Sequence, residues 1–268
     1  MTTSSFQPLQ PTVAADCCFF SFDGSQLRVL IIRRAKEPYQ ECEALPGSFL
    51  RTGETVERAV DRLCRLFLPL EQTASLLSYP SPLPSSSSAL PALAPAVARP
   101  CAELAAQSAI LSGVYSKVNR DPRGRVLSVA HALTVSGPLD EAMQQHVALV
   151  GGAWIPVSEA LRLDLAFDHN SILRDALAAL RRELPSAPIA FRMLPPKFTL
   201  GELHALYESL LGLQLDRSNF AKKILKLGLL TPLDEEVWPT PKRAARLYAF
   251  NEAGYASFKS SSGSMLEY

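Results

Sequence analysis

Leu45-Pro46-Gly47-Ser48-Phe49-Leu50-Arg51-Thr52-Gly53-Glu54 leads into a run that ends Arg62-Leu63-Cys64-Arg65-Leu66-Phe67-Leu68-Pro69-Leu70. Within residues 55–68, Val56, Ala59, Val60, Leu63 and Phe67 recur at three- and four-residue spacing. That period predicts a helix with one apolar face. Just upstream, Cys17 to Phe22 and Leu27 to Ile32 are apolar, β-rich runs flanking Asp23-Gly24, a strong hairpin signal. A hairpin and an amphipathic helix are therefore expected in this part of the chain.

Working outward, residues 1–13 are polar with two prolines and read as a flexible tail. Residues 72–106 carry Tyr79-Pro80-Ser81-Pro82-Leu83-Pro84, four serines and an Ala/Pro run, a low-complexity insertion expected to be disordered. Its Pro-Ala character also fits a partner-docking strand. Order is expected again from Val114. The basic, turn-rich Arg120-Asp121-Pro122-Arg123-Gly124-Arg125 precedes a strand over Val126 to Val135, and Gly152 to Ile155 is another. Asn170 or Ser171 can cap a helix that runs to about Leu184. Pro185-Ser186-Ala187-Pro188 then reads as an interdomain linker between a domain at 14–185 and a second at 189–258, with a tail at 259–268.

The bulk composition removes several classes of function. A net charge of +1 gives no whole-protein attraction to nucleic acid or membrane, so any basic surface is local. Five cysteines (Cys17, Cys18, Cys42, Cys64, Cys101) form no C-x-x-C pair, as expected of reduced thiols in a cytoplasmic protein. The four histidines show no metal-ligand spacing, so no metal site is expected. No signal peptide or membrane span is recognisable.

The second domain begins with Phe198-Thr199-Leu200-Gly201-Glu202, in which Thr199 and Glu202 form a capping box. Leu203, Leu206, Tyr207, Leu210 and Leu211 give the buried face of this helix, and Gly212 ends it. Asp216 caps a second helix with Phe220, Ile224 and Leu227 on one side. Ser218, Asn219, Lys222 and Lys226 lie roughly opposite, with Lys223 on the flank. Two short runs follow, Leu229–Leu230 and Arg246–Phe250, separated by Pro, Asp, Glu and the basic turn Pro241-Lys242-Arg243. Helix, helix and hairpin is the pattern of a winged helix-turn-helix. Such a reader needs polar and basic side chains on the outer face of its second helix and a cation on its wing. From Arg217 to Arg246 seven Lys/Arg stand against three acids, a local excess of four positive charges. Ser218, Asn219, Lys222, Lys223, Lys226, Lys242, Arg243 and Arg246 are thus the candidate DNA contacts. The same lysines also fit the solvated face of an amphipathic helix.

The 45–70 stretch resembles the signature of the Nudix pyrophosphohydrolases, G-x5-E-x7-R-E-U-x-E-E-x-G-U with U apolar. Aligned on Glu54 and Arg62, Ser48 replaces the first glycine, Leu63, Leu66 and Phe67 replace the three glutamates, and Pro69 replaces the last glycine. Together the two halves resemble the Nudix-related transcriptional regulators of the NrtR type, over roughly 16–71 and 110–255. The matches are Leu45-Pro46-Gly47 with Glu54 and Arg62, Arg120-Asp121-Pro122-Arg123-Gly124-Arg125, and Ala166-Phe167-Asp168-His169 before Ile172. In the second domain they are Phe198-Thr199-Leu200 with Glu202-Leu203, Leu215-Asp216-Arg217 with Asn219-Phe220, and Leu247-Tyr248 with Phe250. The resemblance implies an α/β (α+β) chain: a Nudix-like α/β/α sandwich with a mixed sheet, then a winged helix. It also implies a homodimer on a palindromic double-stranded operator and a nucleotide or sugar effector, ADP-ribose in the NAD branch. By position, Arg33, Arg34, Arg120 and Arg123 fall near the expected effector pocket.

Nudix hydrolysis needs a divalent metal on hard oxygen ligands. Leu63, Leu66 and Phe67 offer none. Glu54 and Glu57 sit at or before the helix start and cannot rebuild the cluster, which leaves Glu54 to hold Arg62 structurally. The expectation is a regulator with a catalytically inactive sensor domain. A protein-interaction scaffold and a weak pyrophosphohydrolase are the alternatives.

Overall fold

The computed structural model describes residues 10–68, 109–136, 139–185, 188–240 and 243–260. Strand β1 (Thr12–Phe22) is buried along nearly its whole length, because its sheet is covered on both faces. Cys18 and Phe20 point into one apolar cluster, Cys17 and Phe19 into another. A strand buried on both faces reads as a continuous apolar run. Strand β1 starts before the end of the expected 1–13 tail. The parallel partner that holds Thr12 and Val13 is more than 100 residues away, so local composition did not reveal it.

In chain order, β2 (Leu27–Arg33) completes the Asp23-Gly24 hairpin, and β3 (Glu43–Ala44), β4 (Gly47–Phe49) and helix α1 (Val56–Phe67) follow. Then come β5 (Ile110–Tyr115), β6 (Val126–Val135), α2 (Glu141–Leu149), β7 (Gly152–Pro156), the short α3 (Val157–Ala160) and α4 (His169–Glu183). The sheet has seven strands in the order β3-β2-β1-β6-β5, with β4 paired to β1 and β7 to β2. Strands β1 and β6 run parallel and the remaining pairs antiparallel, so the sheet is mixed. Helix α4 covers one face. Helices α1 and α2 cover the other. The low-complexity stretch 72–106 and the 259–268 tail beyond Ser260 lie outside the described residues.

Helix α4 starts at His169, ahead of the expected caps Asn170 and Ser171, with Asp168 at the N-cap position. The Asn170 side chain accepts from Leu165 N–H (2.9 Å) and donates to Leu163 C=O (2.7 Å), bracing the preceding loop. Asp168 precedes the helix, and its carboxylate is engaged elsewhere. Helix α2 has no counterpart in the sequence reading. Its signals are Asp140, which caps Met143 N–H at 2.8 Å, and the buried pair Met143 and Val147.

The second domain comprises α5 (Ile189–Met193), β8 (Phe198–Thr199), α6 (Leu200–Leu211), α7 (Arg217–Lys226), β9 (Leu230–Thr240), β10 (Arg243–Phe250) and α8 (Glu252–Ser260). Both halves of the Thr199/Glu202 capping box form, and Gly212 ends α6 at φ 70°, where a Cβ would be strained. The hairpin strands are longer than the two expected runs. Strand β9 is the edge of the β8-β10-β9 sheet, where Pro232 and the acids 234–236 are tolerated because one side needs no ladder partner. Helix α8 extends the domain to Ser260, past the expected boundary at 258.

The junction is not a loose tether. Ile189, Ala190, Phe191 and Met193 of α5 are buried, and Phe191 stacks on Phe250 at 4.5 Å. One apolar cluster runs from Phe20 and Leu177 through Phe191 to Leu206 and Phe220. The two domains therefore share a core.

On α1, Leu63 (2% exposed) and Phe67 (4%) enter the cluster around Phe19 and Leu30, whereas Leu66 is 49% exposed. Restoring carboxylates should thus have opposite effects at neighbouring positions. In urea denaturation, Leu63→Glu is expected to cost several kcal/mol, since it buries a charge without a partner. Leu66→Glu should stay within about 0.5 kcal/mol of the parent.

Candidate effector pocket and nucleic-acid interface

Strands β1, β2 and β4 and the loops before β6 and α4 enclose a cavity of about 540 Å³. Its charged walls are Arg34, Lys36, Arg120 and Arg123 against Asp16 and Asp121, an excess of cations. An adjoining cavity of about 360 Å³ shares Arg120 and Phe167 and adds Tyr39, Lys117, Asn119 and Asp168.

The floor is a buried polar network. Arg120, its side chain 3% exposed, donates through Nε and Nη2 to the two oxygens of Asp168 at 3.0 and 2.6 Å, and lies 3.5 Å from Asp16. Asp16 also accepts a hydrogen bond from the Ser128 hydroxyl. His169 Nδ1 accepts from Leu45 N–H at 2.9 Å, so a neutral ring carries its proton on Nε2, which faces Asp16 at 3.8 Å. Burial pushes His169 below its ordinary pKa and favours that neutral form. Gly47 is required by this packing, since a Cβ there would fall 2.0 Å from the Asp16 carboxylate.

The rim is aromatic and cationic. Arg123 lies over the Phe49 ring at 4.7 Å and near Phe167 at 5.5 Å, and Arg34 lies over Phe167 at 4.7 Å. Arg123 also pairs with Asp121 at 2.9 and 2.6 Å. Burial would raise the Asp121 carboxyl, but hydrogen bonds from the Arg123 side chain and backbone lower it. Phe167 adopts φ 59°, a left-handed backbone that costs a non-glycine residue free energy. Strain of this kind is retained where a side chain must be aimed, and here the residue lines both cavities.

Of the four arginines expected at the pocket, three converge on it. Arg33 does not. Strand alternation turns it outward, where it is exposed and pairs with Glu41 at 2.9 Å. Asp16, Lys36, Phe49, Phe167 and Asp168 went unnoticed as site residues. Phe167 and Asp168 stand in a quoted motif, whereas Asp16 sits in a run that reads only as a strand.

The degenerate helix does not reach this cavity. None of Leu63, Leu66 and Phe67 lines it. Arg62 is clamped by Glu54 (2.9 and 2.8 Å), the Ser48 hydroxyl (2.9 Å) and Phe49 C=O (3.1 Å), and so fixes the β4 turn to α1. Hydrogen bonds from Arg62 hold the Glu54 carboxyl down at about 2. Among the described residues no three His, Cys, Asp or Glu side chains gather as a metal would require. The donor set therefore does not fit the divalent ion of Nudix hydrolysis. Burial keeps the thiols of Cys17 and Cys18 well above their usual pKa and moves Cys64 up to about 12, so all three stay protonated.

In the second domain, Asp216 accepts from Asn219 N–H at 2.8 Å and sets the start of α7. Phe220 and Ile224 are buried, with Phe220 against His204 and Tyr207, both at 5.2 Å. The opposite face presents Ser218, Asn219, Lys222, Lys223 and Lys226, all exposed. Arg246 is exposed on β10, and Arg243 opens that strand. Lys242 lies outside the described residues.

A family model described as the NrtR DNA-binding winged helix domain matches residues 190–250. The ADPR-responsive transcriptional repressor NtrR of Acinetobacter baylyi is 28% identical over 242 residues, 90% of this chain and 82% of that protein. An ADP-ribose pyrophosphatase of Methanocaldococcus jannaschii is 32% identical over 171 residues, 62% of this chain and 73% of that protein. The crystal structure of Shewanella oneidensis NrtR complexed with a 27mer DNA has the same fold, at a TM-score of 0.65 and 23% identity over 91% of this chain and 95% of that one. The pyrophosphatase is matched over only part of this chain, whereas the repressor is matched over nearly all of it, winged helix included. Through that 32% identical relative the chain belongs to the Nudix family, and its winged helix with the repressor match gives it the two-domain layout of the NrtR-type regulators it resembles.

Proposed function

We propose that this protein is a transcriptional regulator whose winged helix binds an operator duplex and whose Nudix-type pocket senses ADP-ribose or a close nucleotide-sugar relative without hydrolysing it. The observation that carries this reading is the pocket's charge. Arg34, Lys36 and Arg123 face a cavity with aromatic walls and no cluster of carboxylates to hold a metal. In a hydrolase the metal offsets the diphosphate charge and activates water. Here guanidinium groups, whose planar forks match phosphate oxygens, serve the first role, and among the described residues no metal-binding cluster stands ready for the second. The repressor activity named for the Acinetobacter baylyi relative supports the same direction of control. A homodimer on a palindromic site follows from the usual geometry of helix-turn-helix readers.

Helix α4 supplies the route between the two sites. Its N-terminus is held by the Asp168–Arg120 pair at the pocket floor and its middle by Tyr115 OH on Asp175 at 2.7 Å. Near its C-terminus Arg181 Nε donates to Leu210 C=O at the end of α6, at 2.6 Å. About 20 Å of helix thus joins the ligand floor to the domain that bears α7.

Titration calorimetry should detect ADP-ribose binding that is equal in Mg²⁺ and in EDTA. Arg123→Ala should weaken it about tenfold or more, as expected for a lost charge-assisted contact, and Arg33→Ala should leave it unchanged. A strict need for metal would overturn this assignment.

A duplex recovered by selection from a random-sequence pool should bind with an affinity that falls steeply with salt. Lys222→Ala with Lys226→Ala should weaken binding and reduce the log–log salt slope by about 2. Unaltered affinity in a mobility-shift titration would favour the protein-scaffold reading.

Arg181→Gln should retain both affinities but diminish the change in DNA affinity that ADP-ribose causes. Coupling is a free energy between two sites, so it can be lost while each site remains intact.

A further inference from the structure

Trp238 is 67% exposed, near the end of β9 and beside Val237, itself 37% exposed. Trp is a large side chain that folded proteins keep mostly buried, and this one stands on the wing of the DNA-reading domain. The strand register explains how it comes to stand out. Thr240 pairs with Arg243 and Val237 with Ala245, so Trp238 and Pro239 together face Ala244 alone. That two-against-one arrangement is a β-bulge, a device that bends a strand and re-aims a side chain. Pro239 has no N–H to give the ladder, which suits the interruption.

Charges of both signs stand near it. Glu235 is paired with Lys197 at 2.7 Å, and Glu236 faces Arg246 across the strand pair. Beside those charges the indole is the large exposed apolar group that this part of the wing presents. An exposed indole beside a strand bulge fits the wall of a DNA groove, where it can pack on sugars or wedge at a base step.

We propose that Trp238 is a nucleic-acid contact of the wing, making an apolar, charge-independent contribution to operator affinity beside the ionic one from α7. The inference rests on the DNA-binding reading above. The test uses the full-length chain and the duplex selected from a random-sequence pool. Trp238→Ala is expected to lower affinity about tenfold, with thermal stability unchanged and the salt slope equal to that of the parent. Trp238→Phe should recover most of the loss. Lys222→Ala, in contrast, should lower the slope by about 0.9. The two tryptophans separate by exposure, since Trp154 is only 8% exposed. Acrylamide quenching of the parent should fall when duplex is added, and Trp238→Phe should show no such change. Equal affinity of Trp238→Ala and parent overturns the proposal, as does a reduced salt slope. A change in oligomeric state on Trp238→Ala also overturns it, by assigning the indole to a protein interface. If the parent itself binds no selected duplex, the DNA-binding reading falls and this proposal falls with it, an outcome distinct from parent-level affinity in Trp238→Ala.

Discussion

The guanidinium of Arg120 is almost completely withdrawn from water, and it stays charged there because Asp168 takes two of its hydrogen bonds while Asp16 stands close by. Removing an arginine and a carboxylate from water is costly, and only good geometry with further hydrogen bonds offsets it. The Ser128 hydroxyl on Asp16 provides one of these. Deleting one member of such a pair generally costs about 3–5 kcal/mol, because the other is left buried and unpaired. Strand β1, strand β6, the 120–125 turn and the start of α4 all meet at this point. The placement of Asp168 is favourable for a second reason: a carboxylate just before a helix faces the positive end of the α4 dipole.

This cluster alters how the lost glutamates are understood. In a metal-dependent hydrolase, acids gather to hold cations, and the cations meet the phosphates. In this chain the cations are covalent parts of the protein. The α1 positions that would have carried acids have divided between core and solvent. Leu63 and Phe67 strengthen packing against Phe19 and Leu30, and Leu66 faces out. Arg62 and Glu54 remain because their role is architectural: they tie the β4 turn to the start of α1. What matches the Nudix signature here, Arg62 and Glu54, shapes the domain.

Much of this was legible from sequence where the information is local. The capping box at Thr199 and Glu202, the Asp216 cap, the stop at Gly212 and the β6 boundaries each rest on residues within a few positions of one another. Of the four arginines that the family resemblance placed near the pocket, Arg34, Arg120 and Arg123 line the cavity. Arg33 was misplaced by one step of strand alternation, which a list of basic residues does not encode. Asp16 and Asp168 were invisible as partners because they lie 104 and 48 positions from Arg120. Helix α2 was missed because its apolar face is only Met143 and Val147. The wing strand was cut short because prolines and acids argue against a central strand, and β9 is an edge.

The shared core constrains how a signal can pass. A winged helix on a flexible tether could not sense a pocket in the other domain, since a ligand shifts an equilibrium only through different interactions with its two states. Here α5 buries Phe191 against Phe250, and α4 reaches α6 through Arg181. Movement of α4 must therefore alter the seat of α6, on which α7 is packed through Phe220 and Tyr207. On the function proposed above, a diphosphate entering the pocket would meet Arg123 and Arg34 at the rim and then Arg120 at the floor. It would compete with Asp168 for that last guanidinium, and Asp168 adjoins the first residue of α4. A ligand that neutralised the pocket would thus act on the residue that fixes the helix, and on that reading sensing and transmission use the same ion pair.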